Sequence, residues 1–577
     1  MSKGRPTKDK GGEEARGKTS EGRGKSILRG APSWLVSLVI HLLVLLAATV
    51  FYVEKYVLEP EGAYVTSIRR AEPQKIMELD RPEPKKPPPE DRPSEEADAS
   101  LLSDEEPQPA DASDSSQDDA QDMGGLDDGG LGTANVYDAI GVGGGGGTRP
   151  ARRVRPAVAR KPRAPLDKGI KAALAWLARH QSADGSWSVT RFSKECGRHG
   201  FEEDCARAEL EGNEQFDEGV TGLATLAFLG AGYLPWNREP VHAPSSGESG
   251  DLSEILGEAA QLTYGEVVKR ALRHLIAAQT PGGRIGPEVD RYVYNHMIGA
   301  LALCEAYGMT RIWLLRAPAE RAVQFIVDAR TPGMGWRYIP QAGDTDASVT
   351  GWAVTVLKSA ESAGLSFDRS MYADVRKWYE AATTSASVAR KVTGDRDWDE
   401  DRTFTLTGYL GAKDAGSLVS VVGLNDHYHY TPSQTAAMMM SLVMMDGSAG
   451  QLGEKGIDTL FAFLPAKWTL DDRASWRNVD FYYWYHATYA LFQTLSSDDP
   501  RWKRWSEALR PALAEMQNLK GFEGHCLEGS WEPIDRWSCE GGRVYATALG
   551  ALTLEVLYRY PRVLALDKKA LAVKIGD

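Results

Sequence analysis

Carboxylate, imidazole and phenol side chains stand at the start of six apolar segments of this 577-residue chain. If these segments are helices that share one end, the side chains meet there and can bind an anion or transfer a proton. The residues concerned are Asp217 with Glu218, Tyr294 with His296, Asp344 with Asp346, Asp426 with His427 and His429, Asp480 with Tyr482 and Tyr483, and Arg543 with Tyr545. Because Asp is also a preferred helix N-cap, capping is the alternative explanation for each Asp.

The segments that carry these residues are predicted to be the inner helices of a ring. From residue 166 the apolar periodicity is helical and falls into six pairs. Outer helices with a charged face begin near Asp167, Tyr264, Ala319, Tyr372, Leu452 and Trp505, and inner helices that are apolar nearly all round begin near Gly219, Val293, Ala347, Thr431, Asp480 and Arg543. We therefore predict an all-α fold, an α/α toroid of about six helical hairpins over residues 166–565. An open solenoid is the alternative.

The connections between the helices carry a recurrent pattern. The first reads KAALAWLARHQSADGSW over residues 171–187, Gly-Ser-Trp recurs at 529–531, and intermediate connections keep Gln279 or Trp336. The pattern resembles the QW motif of the squalene cyclase and prenyltransferase repeat superfamily, and the chain from about 166 to 563 looks like one toroid of that superfamily. Gln can satisfy helix-terminal groups while Trp packs beside it, so the motif indicates a fold rather than an activity.

One connection resembles a catalytic motif. Asp344-Thr345-Asp346-Ala347 is similar to the Asp-x-Asp-Asp motif of class II terpene cyclases, whose middle Asp protonates an alkene. The resemblance implies that Asp346 is a general acid, with Asp344 beside it, and that the substrate is an isoprenoid or another lipid-like or anionic compound. Ala347 replaces the last Asp of the motif, and those cyclases have two toroidal domains where this chain has one.

The remaining polar residues of the inner helices suggest a ligand site and a metal site. We predict ligand binding by Asp217, Tyr294, His296, Asp480, Tyr482, Arg543 and Tyr545. The segment from Tyr485 to Tyr489 resembles the zinc-binding helix of protein prenyltransferases, and His427, His429 and His486 offer nitrogen ligands that zinc accepts. A hydrogen-bonded core His is the alternative for each. The sequence requires no cofactor and leaves zinc open.

Five cysteines fall into a simple pattern. Cys196 lies near Cys205, Cys526 lies near Cys539, and Cys304 lies inside an apolar segment. We predict two disulfides from the two close pairs and one buried thiol. Disulfides persist in oxidising compartments, so the pattern favours export of this part of the chain.

Residues 34–53, WLVSLVIHLLVLLAATVFYV, form an uncharged run of twenty residues. This length matches a transmembrane helix, with a signal peptide as the alternative. The preceding 33 residues hold nine Lys or Arg against four acids, which keeps the tail 1–33 cytoplasmic. We therefore predict a single-pass protein of the inner membrane with a periplasmic C-terminal domain.

Ser37 and His41 share one face of the predicted membrane helix, four residues apart. Together with the following EPQKIMELDRPEPKKPPPEDRP stretch they resemble the N-terminal anchor of TonB-type energy transducers. The resemblance implies contact with a proton-driven motor complex, and an ordinary anchor is the alternative. The rest of 54–165 is rich in Pro, acidic residues and Gly, which predicts a disordered tether.

Composition excludes one class of function and leaves two. The chain carries 67 Lys and Arg against 80 Asp and Glu, a net charge of −13, without the sustained basic surface of a nucleic-acid-binding protein. One remaining hypothesis is a binding or scaffold module of the cell envelope, anchored in the membrane. The other is an enzyme of the terpene cyclase or prenyltransferase type with Asp346 as its acid.

Overall fold

The computed structural model of the chain describes residues 164–199, 212–241, 262–388, 402–415, 432–476, 479–496, 498–520, 522 and 525–558. They all belong to the second of two compact units, residues 89–577. No helix within these ranges is long and apolar enough to cross a membrane. The predicted membrane helix 34–53 with Ser37 and His41, the tail 1–33 and the tether up to residue 163 lie outside the described residues.

Within the described ranges, twelve helices form the six predicted outer and inner pairs. The outer helices are α1 (Ala164–Arg179), α3 (Tyr264–Ala277), α5 (Trp313–Ala329), α7 (Met371–Ala382), α9 (Gly450–Ala462) and α12 (Pro500–Leu513). The inner helices are α2 (Asp217–Gly230), α4 (Val293–Thr310), α6 (Ala347–Ser362), α8 (Pro432–Asp446), α11 (Phe481–Thr494) and α13 (Ser538–Tyr558).

Shorter elements fill some of the connections. A four-residue helix α10 spans Arg473–Trp476, and turns of 3-10 helix span Phe192–His199, Glu214–Phe216, Ala412–Asp414 and Ala514–Met516. Strands β1 (Thr383–Val388) and β2 (Arg402–Thr407) form an antiparallel hairpin in which Thr383 faces Thr407 and Val388 faces Arg402. This hairpin follows α7 directly, so it extends an outer helix rather than the ring.

The inner helices close into a ring. Helix α2 packs on α4, α4 on α6, α6 on α8, α8 on α11, α11 on α13, and α13 packs back on α2. Outer helix α1 lies against α13, the last inner helix, and α3 and α5 each bridge two neighbouring inner helices. The α/α toroid predicted from the sequence is therefore confirmed, and the open solenoid is excluded for these residues.

A repeated hydrogen-bond arrangement, which we call the turn clamp, joins successive hairpins. Gln181 Nε2 donates to the carbonyl of Gly185 in its own turn (3.0 Å) and to that of Val267 in α3 (2.9 Å). Gln279 makes the same pair of bonds to Gly283 (3.2 Å) and to Pro318 in α5 (2.9 Å). Each clamp ties one turn to the next outer helix, which fixes the angle between neighbouring hairpins.

The last turn clamp closes the ring. Gln517 Nε2 donates to Gly529 O (2.7 Å) and to Gly169 O in α1 (2.8 Å), which joins the final turn to the first outer helix. Trp531 Nε1, two residues after Gly529, donates to Leu513 O at the end of α12 (2.8 Å). The sequence pattern missed Gln517 because twelve residues separate it from Gly529, whereas four separate Gln181 from Gly185.

The tryptophans of the turns are anchored at both ends. The indoles of Trp187 and Trp336 are fully buried and donate to carbonyls of the preceding outer helix, Leu177 O and Ile326 O, both at 2.7 Å. Their backbone amides donate to an inner-helix hydroxyl, Thr221 Oγ1 (2.9 Å) and Thr350 Oγ1 (3.1 Å) respectively. The turns are thus rigid platforms for the residues that follow them.

Candidate functional site

Asp346 lies at the N-terminus of inner helix α6 and is completely buried. Its backbone amide donates to Trp336 O (3.0 Å), so the rigid Trp336 turn fixes its position. Its Oδ1 accepts from Val349 N (2.8 Å) and caps the helix, as the capping explanation predicts. Its Oδ2 is buried without a hydrogen-bond partner among the described residues. One carboxyl oxygen therefore serves the fold, while the other is available for chemistry.

Burial raises the pKa of Asp346 to about 7. The amides of Val349 and Ser348 and the positive charge of Arg337 lower this pKa, but burial outweighs them and the charge of Asp344 adds to its effect. A large fraction of the protein therefore carries a neutral, protonated Asp346 near neutral pH. Such a group is a hydrogen-bond donor and a general acid.

Five phenols lie within range of the charge of Asp346. Tyr379 donates to Ala347 O (3.0 Å), and we call the other four the tyrosine cluster: Tyr294, Tyr338, Tyr409 and Tyr482. Each has a pKa raised first by burial and further by the charge that Asp346 would carry. The hydroxyls of Tyr338 and Tyr409 are hydrogen-bonded to each other, and that of Tyr482 lies 2.9 Å from Ser348 Oγ. Tyr294, Tyr338 and Tyr409 are half-buried and so reach the protein surface, whereas Asp346 is fully buried, and we call this group of residues the mouth.

A second group of charged residues lies on the other side of Tyr482. Asp480 caps α11 by accepting from Tyr483 N (2.8 Å), and Asp535 accepts from Phe481 N (3.0 Å). Burial, and after it the charge of Asp480, raise the pKa of Asp535 to about 7. Arg536 Nε lies 3.6 Å from Asp480 Oδ2 and partly balances the pair.

The charges of Asp346 and of the two carboxyl groups Asp480 and Asp535 act on shared tyrosines. Tyr482 lies within range of the charges of both Asp346 and Asp480, and Tyr545 within range of Asp535 and Asp480. Tyr545 Oη donates to Asp535 Oδ2 over 3.5 Å, a long bond. The structure thus brings Tyr294, Asp346, Tyr482, Asp480 and Tyr545 together as predicted, and their roles in binding or catalysis stay predictions.

Two predicted acidic residues lie away from the buried acid. Asp344, predicted as a second catalytic carboxylate, has a side chain 55% exposed, and its Oδ2 is 3.6 Å from Arg337 Nε. Asp217 accepts from Val189 N (2.8 Å) and lies 3.7 Å from Arg191, so it ties the preceding loop to α2. Asp344 is thus largely exposed and Asp217 mostly buried, and neither bonds Asp346 Oδ2, although the charge of Asp344 raises the pKa of Asp346.

His296, predicted to bind a ligand, has both ring nitrogens engaged by backbone groups, and its ligand binding stays a prediction. Nδ1 accepts from Ile285 N (3.1 Å), and Nε2 lies 3.1 Å from Ala322 O, so backbone groups occupy both nitrogens. Burial lowers its pKa to about 3, which keeps the ring neutral. His296 takes the place that Thr221 and Thr350 have in other repeats, where a hydroxyl accepts from the turn amide.

Arg543, also predicted to bind a ligand, is committed to an internal ion pair. Its Nη1 and Nη2 donate to the two carboxylate oxygens of Glu532 at 2.9 and 2.7 Å, and Nη1 also reaches Ser530 Oγ (3.0 Å). Burial alone would raise the pKa of Glu532, but the charge and hydrogen bonds of Arg543 lower it. In this structure the guanidinium ties α13 to Ser530 and Glu532 of the last turn, and ligand binding by Arg543 stays a prediction.

Substituting Arg543→Met is expected to destabilise the protein by about 3 kcal/mol, because it leaves Glu532 as a largely buried carboxylate without a balancing charge and with only Asn518 as a side-chain donor. Urea unfolding measures the change. The double variant with Glu532→Gln should recover most of the loss, since it removes the stranded charge. Equal stability of the Arg543→Met single and double variants would contradict this account.

The predicted zinc site is not assembled within the described residues. His427 and His429, like Asp426, lie outside them, and no group of three His, Cys, Asp or Glu residues inside them is placed to hold a metal. His486 is buried, its Nδ1 lies 2.9 Å from Tyr482 O, and its ring meets Trp352 edge to face at 5.3 Å. Burial lowers its pKa to about 4, as expected of the core-His alternative.

The cysteine pairing predicted for the last connection is wrong. Cys539 is a free thiol whose Sγ lies 3.3 Å from Arg536 O, whereas Cys526 is disulfide-bonded. The two therefore do not bridge each other, although they lie only thirteen positions apart. Cys304 is free and buried, as predicted. Cys205 and the side chain of Cys196 lie outside the described residues.

Several residues of the mouth, and of the charged group beyond Tyr482, were not predicted from the sequence. Arg337 and Tyr338 directly follow the Trp336 turn, and Tyr409 follows β2. The backbone bond from Ala347 N to Tyr409 O (2.9 Å) brings this distant segment to Asp346. Asp535 and Arg536 lie in the long last turn. All five belong to connections, where helical periodicity carries no information.

Comparisons with known proteins add little to this geometry. No family model and no curated protein matches the chain. A similar solved structure is an unsaturated glucuronyl hydrolase from Bacillus sp. GL1, responsible for the degradation of glycosaminoglycan. The two are 13% identical, the match covers 69% of this chain and 97% of that chain, and the TM-score is 0.39. A likeness of this size carries no argument about the chemistry of the mouth.

Proposed function

We propose that the toroid is an enzyme in which Asp346 donates a proton to a polar substrate bound at the mouth. One observation carries the proposal: a fully buried carboxyl group caps α6 with one oxygen and leaves the other without a partner, facing a cluster of phenols. A carboxyl group with a pKa near 7 is suited to general acid catalysis at neutral pH.

The surroundings of Asp346 favour a substrate that bears hydroxyl groups. Tyr338, Tyr409 and Tyr482 offer hydroxyls that are now paired with one another or with Ser348, and a substrate hydroxyl can replace these partners. The O–H bond of Asp346 breaks as a new O–H bond forms on the leaving oxygen of the substrate. The bond from that oxygen to carbon or phosphorus breaks, and a water molecule adds to the carbon or phosphorus and releases its proton to solvent. The carboxylate that remains is stabilised by the positive charge of Arg337 until it regains a proton from solvent.

An isoprenoid substrate, the finer prediction from the terpene cyclase resemblance, is less well supported. Carbocation cyclisation requires a deep cavity lined by aromatic faces. The side chains of Trp352, Tyr485, His486 and Tyr489 are all buried, and their rings contact one another. Because α8 separates α6 from α11 in the ring, these side chains meet across its centre, and this packing favours a shallow polar site over a deep cavity.

The same filled centre supports the second candidate function, a binding or scaffold module. In that function the neutral Asp346 donates a hydrogen bond to a retained ligand and no bond is broken. In either case the proposed setting follows from the sequence: an inner-membrane helix at 34–53, a tether to residue 165, and a periplasmic ring. We further propose that Ser37 and His41 contact a proton-driven motor complex.

The test compares the full-length chain with its Asp346→Asn variant on nitrophenyl glycosides, nitrophenyl phosphate and cell-envelope extracts, with products followed by absorbance and mass spectrometry. We expect turnover to fall at least about 100-fold in Asp346→Asn, because loss of a general acid costs about 10²–10⁴. Wild-type turnover should decline as pH rises through about 7.

The matched control is Asp499→Asn, which replaces another N-cap Asp on outer helix α12. Turnover in this variant should equal that of the wild type. Undiminished turnover by Asp346→Asn would exclude Asp346 as the acid. A ligand that is bound by both proteins and recovered unchanged would instead favour the binding module.

A further inference from the structure

The mouth contains a second buried group that lacks a hydrogen-bond partner, Nη1 of Arg337. The side chain of Arg337 is only 15% exposed, so this N–H group has lost most of its contact with water. Leaving a buried charged donor unpaired is costly, and such a donor normally has a partner when the protein acts.

The guanidinium of Arg337 is held in place by aromatic rings. It lies over the ring of Tyr338, 4.8 Å from the centroid, and 5.9 Å from the centroid of Tyr409. The Tyr338 and Tyr409 hydroxyls are hydrogen-bonded to each other, which fixes the positions of the two rings. Because the indole and the backbone amide of the preceding Trp336 are both hydrogen-bonded, the backbone that carries the Arg337 side chain is fixed as well.

The acidic neighbours of Arg337 do not satisfy this donor. Asp344 Oδ2 lies 3.6 Å from Nε, beyond the usual 2.7–3.2 Å of a hydrogen bond, and its side chain is largely exposed. The charge of Arg337 lowers the pKa of Asp346, but Arg337 Nη1 and Asp346 Oδ2 do not bond each other, and Oδ2 has no other partner among the described residues. Asp346 Oδ2 and Arg337 Nη1 therefore both remain available to one bound ligand.

We propose that Arg337 binds an oxyanion of the substrate, a carboxylate or a phosphate group, and so sets the specificity of the mouth for anionic compounds. The inference deepens the proposed function, because Asp346 acts on the compound that Arg337 holds. A guanidinium stacked on aromatic rings keeps its N–H edge free, and that edge matches the oxygens of carboxylates and phosphates. The protonated Asp346 adds a hydrogen-bond donor without adding a repelling charge.

The test measures anion binding directly, so it does not depend on turnover. Sodium acetate, sodium phosphate and the neutral acetate analogue acetamide are titrated into the full-length chain by calorimetry at constant ionic strength and pH 6. We expect acetate or phosphate, but not acetamide, to bind. The Arg337→Gln variant should weaken this binding at least about tenfold, because it removes a charge-assisted hydrogen bond.

Two further variants sharpen the result. Arg316→Gln is the matched control, because Arg316 also stacks on an aromatic ring, Trp313 at 5.5 Å, and pairs with one carboxylate, Glu320 at 3.0 Å. It should leave anion binding unchanged. Asp344→Asn should strengthen anion binding severalfold, because it removes the carboxylate that competes for Arg337.

The outcomes separate this proposal from the one on which it rests. Equal anion binding by wild type and Arg337→Gln, or no binding of either anion by the wild type, would overturn it. If Arg337 only stabilised ionised Asp346, Arg337→Gln would move the pH dependence of turnover and leave anion binding intact, which also overturns it. Binding that depends on Arg337 but not on Asp346, in a protein without turnover, would support anion recognition and count against the proposed enzyme. The difference between acetate and phosphate identifies which anion the mouth prefers.

Discussion

Replacing Gly529 by alanine is expected to destabilise the toroid by about 3 kcal/mol or more. Gly529 has a φ of +99°, a conformation that residues with a Cβ rarely adopt, and its carbonyl accepts from Gln517. A Cβ at this position would overlap the carbonyl of Ala172 in α1. The substitution therefore pushes the last turn away from the first outer helix, at the contact that closes the ring. Thermal and urea unfolding of the full-length chain measure the effect.

Gly333→Ala is the matched control for this prediction. Gly333 also lies in a turn between an outer and an inner helix with a positive φ, +72°, but a Cβ there would meet nothing within 4 Å. Backbone strain alone should cost about 1–2 kcal/mol. The difference between the two variants isolates the overlap with α1. Equal losses in both variants would mean that the closing contact contributes no stability of its own.

The ring itself is predictable from the sequence because its helices differ in kind. Segments such as that from Val293 to Thr310 are apolar on every side, and only a helix surrounded by other helices can bury such a surface. The segment from Tyr264 to Ala277 has one charged face and so must lie outside. Six alternations of the two kinds leave little choice other than a ring or a solenoid. The closing contact through Gln517 was not predictable, because an insertion hides its relation to Gly529.

The candidate site is less predictable for two physical reasons. First, different residue types can fill one structural position. His296 accepts a hydrogen bond from a turn amide, as Thr221 and Thr350 do in other repeats, so an imidazole that suggested ligand binding serves here as an acceptor for the backbone. Second, the partners of Asp346 come from connections. Tyr409 reaches Asp346 through a backbone bond to Ala347 after a β-hairpin, and periodicity cannot predict such a contact.

Substituting Asp346→Asn is expected to stabilise the protein at pH 8 and to leave its stability at pH 4 nearly unchanged. Burial raises the pKa of Asp346 from 3.8 to about 7, so between these pH values the folded protein binds a proton that the unfolded chain has lost. The free energy of unfolding therefore falls as pH rises across this window and levels off above it. A shift of about three units corresponds to at most about 4 kcal/mol.

Asparagine is the right replacement, because it cannot ionise and still caps α6 by accepting from Val349 N. Urea unfolding at pH 4, 6 and 8 should therefore show a gain for Asp346→Asn that grows with pH. The control Asp499→Asn changes an N-cap of α12 far from the tyrosine cluster and should show no such growth. A gain in stability that is independent of pH would mean that the pKa of Asp346 is not raised in the folded protein. A gain that grows with pH, accompanied by loss of turnover, would mean that the fold gives up stability to keep a proton donor at the mouth.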